Sequence, residues 1–377
     1  MLMLAMARQW RIGRTRVGTE HLLLTMSERM PSLRPVRAGV SDRVWNPATG
    51  WRSEDAGADF TLIGDAREVD GALREAAWLA RVRLRRAWEA PAPRWSAGVR
   101  AAVGRALLEG ARWRVPWAHA AHLLTGVCQG GGDRAVEMLR ALRADPQGFV
   151  QRVTRVARTA GTPMTAGADL LEKTGTLTAP PVGPLRRPVL RLLTTFMRAD
   201  AVRYRPGAYR PMVMAMDREA VRQVVRTGAG QATQAHLLLG LLELHQQLAA
   251  SGQRLRPRWA AHNEAGELLL GAGVRRAALL DRIGRGVPPD EPLPPHSRPW
   301  RNRTPADPPF GRGVADVDRR AHAFAAELRH RYAGTSHLLM ALLAEPDSPA
   351  RSILRDCGVG VDQLVDRLAR SLGLPAG

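Results

Sequence analysis

Four histidines head the same short pattern: His21-Leu22-Leu23, His122-Leu123-Leu124, His236-Leu237-Leu238 and His337-Leu338-Leu339. They are separated by 101, 114 and 101 residues. Imidazole ligates metals and moves protons near neutral pH, so four copies invite a metal cluster or a set of acid–base sites. Each histidine, however, precedes paired leucines on a core-facing helix and belongs to a different copy of the pattern, whereas a metal needs ligands that converge. The expected role is a buried, hydrogen-bonded histidine near a helix N-terminus. His119 and His122 sit three apart on one helix face but lack the third ligand and the acid of an HExxH site. No metal site and no cofactor is expected.

Other reactive side chains are equally unsupported by context. Glu172-Lys173-Thr174-Gly175-Thr176-Leu177-Thr178 copies the phosphorylation loop of P-type ATPases with Glu in place of the essential Asp. That shifts the carboxylate by one methylene, and neither membrane helices nor a second catalytic motif accompanies it. A helix end with Gly175 as C-cap accounts for the run. Ser, His and Asp occur throughout without a GxSxG elbow or comparable constellation. No catalytic residue is assigned, and the chain is not expected to be an enzyme. Cys128 and Cys357 are isolated, with no CxxC, and read as two small buried hydrophobes.

The pattern around each histidine is longer than its signature. Sixteen residues before it stands an alanine (Ala5, Ala106, Ala220, Ala321), and five residues after it an apolar side chain (Met26, Val127, Leu241, Leu342). Downstream, Ala135, Met138, Leu139, Phe149, Val150 and Val153 match Ala350, Ile353, Leu354, Leu364, Val365 and Leu368 at identical distances. These are helical spacings. The third copy continues at Ala265, Leu268, Leu269, Leu279, Leu280 and Ile283 once sixteen residues are allowed around Gln246 to Trp259. The later helices of the first copy cannot be placed. Fixed-period self-similarity marks repeated fold units, and equal outer spacings mark a two-repeat unit that was itself doubled.

Along the chain, residues 1–30 read as two helices broken at Gly18, the second opened by Thr19 as N-cap. Residues 31–66 read as an irregular excursion, followed by a basic amphipathic helix over Val69 to Ala90. The second repeat spans Ser96 to about Ala157. The reading divides the chain into a domain over 1–158, with an insertion at about 31–95; a connector over 159–211, with one helix at Val189 to Ala201; and a domain over 212–377. The last is interrupted by an exposed proline-rich loop at 287–309. Strand alternation is absent, so the class is all-α.

At 377 residues with 45% apolar content the chain can bury a real core. No apolar run approaches the ~20 residues that cross a bilayer, and the start MLMLAMA lacks a basic n-region. A cytoplasmic location is expected. The net charge of +21 suggests phosphate backbones as partners. Lys173 is the only lysine, so 55 of 56 basic residues are arginine, a bias toward one residue type rather than a phosphate-binding face. Arg81, Arg83, Arg85 and Arg86, on one helix, are the electrostatic patch of the nucleic-acid reading.

Val17-Gly18-Thr19-Glu20-His21-Leu22-Leu23-Leu24 resembles the GTEHLL signature of the Clp N-terminal (Clp R) repeat domain. Gly334-Thr335-Ser336-His337-Leu338-Leu339-Met340-Ala341-Leu342-Leu343, with Ala350 to Leu354 and Cys357-Gly358-Val359, resembles the same repeat at nearly full length. In that family each domain is a pseudo-twofold helical bundle of two repeats, so the resemblance implies tandem bundles, a double Clp N-like domain. The family domain sits before AAA+ unfoldase rings and docks adaptors and substrates; in some bacteria it recognises phosphorylated arginine. No GxxxxGK[ST] loop occurs in these residues. The resemblance therefore implies a protein-interaction module of the Clp chaperone/protease system, acting as adaptor, substrate-binding protein or decoy. Its partners would be Clp unfoldase or protease components, adaptors, substrate proteins or a small ligand. The family's guanidinium-binding acid maps to Glu20, where a carboxylate can pair with a guanidinium; its counterparts are Ala121, Ala235 and Ser336.

Overall fold

The computed structural model describes residues 1–45, 64–113, 118–130, 134–157, 166–178, 211–287, 290–293 and 304–374. They form an all-α protein that divides into two compact units. The first comprises Met1–Pro163 with Asn302–Asp307, the second Met164–Arg301 with Pro308–Gly377. The helix expected at Val189 to Ala201 lies outside the described residues.

In the first unit α1 (Leu2–Arg11), α2 (Thr19–Arg29), a 3-10 turn (Pro31–Val36) and α3 (Arg37–Trp45) make up the first repeat. After α4 (Ala66–Leu84), the second repeat follows as α5 (Ala97–Arg112), α6 (Ala120–Cys128), α7 (Arg134–Ala141) and α8 (Pro146–Ala157). Alanine and arginine dominate these segments, and both form helices well. Side-chain caps fix the starts of α4 and α5: Asp65 accepts from Arg67 N–H at 2.8 Å, and Ser96 from Val99 N–H at 3.2 Å.

The second unit opens with α9 (Ala166–Lys173). Its third repeat is α10 (Pro211–Thr227), α11 (Gln234–Ala250), a single turn α12 (Pro257–Ala260), α13 (Ala265–Gly271) and α14 (Arg276–Gly284). Its fourth is α15 (Arg312–Glu327), α16 (Thr335–Leu343), α17 (Pro349–Asp356) and α18 (Val361–Ser371). The extra residues of the third repeat lengthen α11 and build α12.

The alanine and apolar positions that flank the four histidines are buried in all four repeats, whereas Val150, Leu280 and Val365 further along are half-buried. Ala5, Ala106, Ala220 and Ala321 are each at most 1% exposed, and Met26, Val127, Leu241 and Leu342 at most 2%. Each buried leucine or methionine contributes roughly 1.5–3 kcal/mol of transfer free energy, so the repeated apolar offsets account for the packing.

The two units share internal geometry at a constant offset of 215 residues. Val17 pairs with Trp95 in parallel, and Ala232 with Phe310 in parallel. Thr19 Oγ1 accepts from Ala135 N–H at 3.3 Å, and Gln234 Oε1 from Ala350 N–H at 3.2 Å. The first helices close alike, Arg14 N–H donating to Gln9 C=O at 3.0 Å and Ala229 N–H to Val224 C=O at 3.1 Å. Gly13 and Gly228 take the positive φ, +75° and +77°, that such closures require.

Several expectations are corrected. A two-stranded parallel sheet exists, β1 (Arg16–Val17) with β2 (Arg94–Trp95); two residues are too few to show alternation. Thr19 is the first residue of α2, not its N-cap, and its hydroxyl serves the start of α7 instead. Residues 31–45 are helical, with Leu33 and Val40 fully buried; Pro31 and Pro35 hid this on reading the sequence. The helix expected to reach Ala90 stops at Leu84, because Arg85 turns left-handed (φ 52°) and Arg86 N–H closes onto Arg81 C=O at 3.0 Å. In the proline-rich stretch Ala306, Asp307 and Pro308 are buried rather than exposed. Asp307 Oδ1 accepts from Trp78 Nε1–H at 3.0 Å inside the first unit. Cys128 is buried but Cys357 only partly.

Candidate functional site

The four histidines share one task. Each stands third in its helix and accepts the N-cap backbone N–H on Nδ1: Gly18 to His21 at 2.9 Å, His119 to His122 at 2.9 Å, Thr233 to His236 at 3.3 Å, and Gly334 to His337 at 3.0 Å. This is the place of the Glu or Gln of a capping box. A backbone N–H can only donate, so Nδ1 must be bare and the neutral ring carries its proton on Nε2. His236 Nε2 then meets Thr227 Oγ1 at 3.1 Å, and His337 Nε2 meets His330 Nδ1 at 2.9 Å. His122 Nε2 has no such partner; its ring stands edge-on to Trp113, centroids 4.3 Å apart.

Protonation is correspondingly disfavoured. Burial pushes His236 down to about 4. Burial first, then His330, His262 and His322, pushes His337 down to about 3. His122 is lowered by burial and by His119, with Glu109 opposing. His262 stacks on His330 at 3.7 Å, and its own basicity falls through burial and that neighbour. This three-histidine group was not visible in the sequence, because His262 belongs to the residues that interrupt the third repeat. Among the described residues no group of three or more His, Cys, Asp or Glu is placed to hold a metal.

Glu20, second in α2, is completely buried. Its Oε1 lies 3.0 Å from His21 Nδ1, and neither carboxylate oxygen has a hydrogen-bond partner. A Cβ added to Gly18 would stand 2.3 Å from Oε2, so the carboxylate lies over Gly18, where only glycine leaves it room. A ligand can reach it only after the side chain rotates outward. At the equivalent position Ser336 Oγ accepts from Glu264 N–H at 3.1 Å, capping α13; Ala121 and Ala235 are buried without a polar group.

The four arginines of the nucleic-acid reading do not act together. Arg81 is half-buried, donates through Nε and Nη2 to Ala90 C=O at 3.3 and 3.1 Å, and lies 5.6 Å from the rings of both Trp10 and Trp88. Burial lowers its basicity, with Glu89 opposing. Arg83 is exposed on α4, whereas the exposed Arg85 and Arg86 lie beyond the last residue of that helix. In the Glu172–Thr178 run, α9 ends at Lys173, Gly175 takes φ +65°, and Thr176 N–H donates to Leu171 C=O at 2.9 Å. This is the helix-end geometry expected of it.

One of the four repeats has a match among known families. Residues 314–375, which span most of α15 and all of α16 to α18, match the Clp repeat (R) N-terminal domain. That stretch is similar to a Clp repeat domain. No curated protein matches the chain. Within the matched Clp repeat, His337 caps α16, Ser348 Oγ caps α17 by accepting from Arg351 N–H at 3.1 Å, and Leu364 and Leu368 of α18 close the core. Among the described residues no helix is long and apolar enough to cross a membrane.

Proposed function

We propose that the protein is a non-catalytic protein-interaction module of the Clp chaperone/protease system, built from two Clp N-like domains of two repeats each and working in the cytoplasm. It acts as an adaptor, substrate-binding protein or decoy toward Clp unfoldase or protease components. The observation that carries this reading is the family match over residues 314–375, with the same internal contacts recurring 215 residues earlier. Four histidines engaged as caps support binding rather than catalysis.

Affinity capture from nuclease-treated native lysate at low and moderate salt, with the bound proteins identified by mass spectrometry, tests it. Recovery of Clp unfoldase, protease or their substrates at both salts is the expected result. Capture abolished by nuclease or by moderate salt would move the assignment to nucleic acid, since phosphate-backbone binding falls by orders of magnitude over that range. Arg83, Arg85 and Arg86, exposed near the end of α4, are the residues of that second reading.

Recognition of a guanidinium group, if it operates in this chain, runs through Glu20. Glu20→Ala is expected to weaken phosphoarginine by about 1.5–3 kcal/mol, the worth of a charged hydrogen bond, as read by titration calorimetry. Equal affinity in the variant removes Glu20 from the site.

A further inference from the structure

An open groove of about 530 Å³ lies at the N-terminal end of the β1–β2 pair in the first unit, walled by Trp10, Arg14, Arg16, Pro91, Pro93 and Arg94. That volume is within the range of ligand sites. The three guanidinium groups are exposed, and none has an ion-pair or hydrogen-bond partner among the described residues. Three positive charges with no acid among the lining residues give the groove a field that attracts an anionic ligand.

The backbone favours an extended chain as occupant. Arg94 N–H donates to Thr15 C=O at 2.8 Å and Ser96 N–H to Val17 C=O at 3.0 Å. This parallel register turns the N–H and C=O of Arg16 to the opposite edge, where no backbone partner among the described residues takes them. The second unit shows what its corresponding strand pair accepts. There an acidic segment of the unit itself, Asp290–Leu293, runs antiparallel to the strand that matches β2, on that strand's outer edge, Leu293 N–H donating to Phe310 C=O at 2.9 Å and Arg312 N–H to Glu291 C=O at 2.8 Å. Its carboxylates are used: Asp290 Oδ2 accepts from Gly313 N–H at 2.5 Å, and Glu291 Oε1 pairs with Arg312 at 2.9 Å. At the positions matching Trp10, Arg14, Arg16 and Arg94 the second unit has Val225, Ala229, Gln231 and Pro309. The arginine-and-tryptophan groove belongs to the first unit alone.

We infer that this groove binds an extended acidic peptide, its carboxylates on Arg14, Arg16 and Arg94, its backbone on the free edge of β1, and an apolar side chain against Trp10. Strand addition supplies affinity through the main chain, and alternate side chains supply selectivity. The inference rests on reading the protein as a protein-binding module, and it names the partner's chemistry.

The test is fluorescence anisotropy of a short labelled peptide of alternating Asp and Leu against the full chain. Arg14→Ala and Arg16→Gln carry the residues that the second unit has at the same places, so the fold tolerates them. Saturable binding that weakens about tenfold or more in each variant, the effect of losing one charged hydrogen bond, and that persists in Arg83→Ala, is the expected result. Equal binding of the two groove variants, or of the peptide with Asn for Asp, overturns the inference, as does displacement by a single-stranded oligonucleotide more readily than by unlabelled peptide. Loss of the peptide with Clp components still captured removes the groove alone; loss of both removes the interaction-module reading.

Discussion

Gly126→Ala should destabilise the first unit by about 2 kcal/mol, the upper end of the overpacking cost less the gain from replacing a mid-helix glycine. Gly126 lies in α6 where it crosses α5, and a Cβ there would stand 2.2 Å from the carbonyl oxygen of Ala102 and 3.1 Å from the backbone nitrogen of Ala106. Those are backbone atoms, so no rotamer change relieves the contact and one helix must shift. Overpacking of this kind typically costs 1–3 kcal/mol or more, against a gain of about 1 kcal/mol from replacing a mid-helix glycine. Arg105 Nε also donates to Gly126 C=O at 2.6 Å, and displacing α6 lengthens that bond. The matching site in the third repeat, Gly240, is the control: its added Cβ meets the flexible end of Met216 at 3.2 Å and Ala220 N at 3.3 Å. Gly240→Ala should therefore be near neutral. Urea denaturation of both variants decides the matter, and equal costs would show that the α5–α6 approach is not what glycine is there to permit.

The same position shows how far the sequence could be read. Four residues after the four histidines stand Thr25, Gly126, Gly240 and Ala341, a small-residue column that the apolar offsets alone did not single out. The offsets did locate the core, since alanines and leucines at 3.6-residue spacing are buried for one physical reason in every copy. The histidines were legible as buried and hydrogen-bonded; their shared partner, the N-cap N–H, was not, because Glu or Gln usually holds the third place of a capping box. Glu20 was legible as the one acid among four equivalents, but its burial over Gly18 depends on a rotamer that spacing does not encode. The groove at Trp10 and Arg94 was invisible for a different reason. Its walls are brought together by a strand pair of two residues each, joining positions 78 residues apart. Arg81 looked like surface charge because a guanidinium normally is; two tryptophans and the Ala90 carbonyl hold it instead.

Acid should unfold the second unit, and its capping histidines should set the pH at which this happens. An unfolded histidine binds a proton near pH 6.5, whereas in the fold His236 is held down to about 4 and His337 to about 3. Between those values the unfolded chain carries protons that the folded one refuses. Stability is therefore fully present above pH 6.5 and lost as pH falls toward 4 and then 3. Each histidine contributes about 1.4 kcal/mol per pH unit, so the pair removes about 5 kcal/mol by pH 4.5, comparable with the whole stability of an ordinary domain. Solvent screening does little to reduce this, since both rings are at most 1% exposed. The groups facing His337 act in the same direction: His330 at 2.9 Å, the stacked His262, and His322 are all bases, and each opposes its protonation. His236 is opposed by burial alone, beside the hydroxyls of Thr227 and Thr233. Glutamine at either place keeps a side-chain acceptor for the N-cap N–H without a titrating ring. His236→Gln and His337→Gln should each flatten the fall of Tm between pH 6.5 and 4.5, the double variant most, whatever they cost at pH 7.5. A fall as steep in the double variant as in the parent would place the acid-sensitive groups elsewhere.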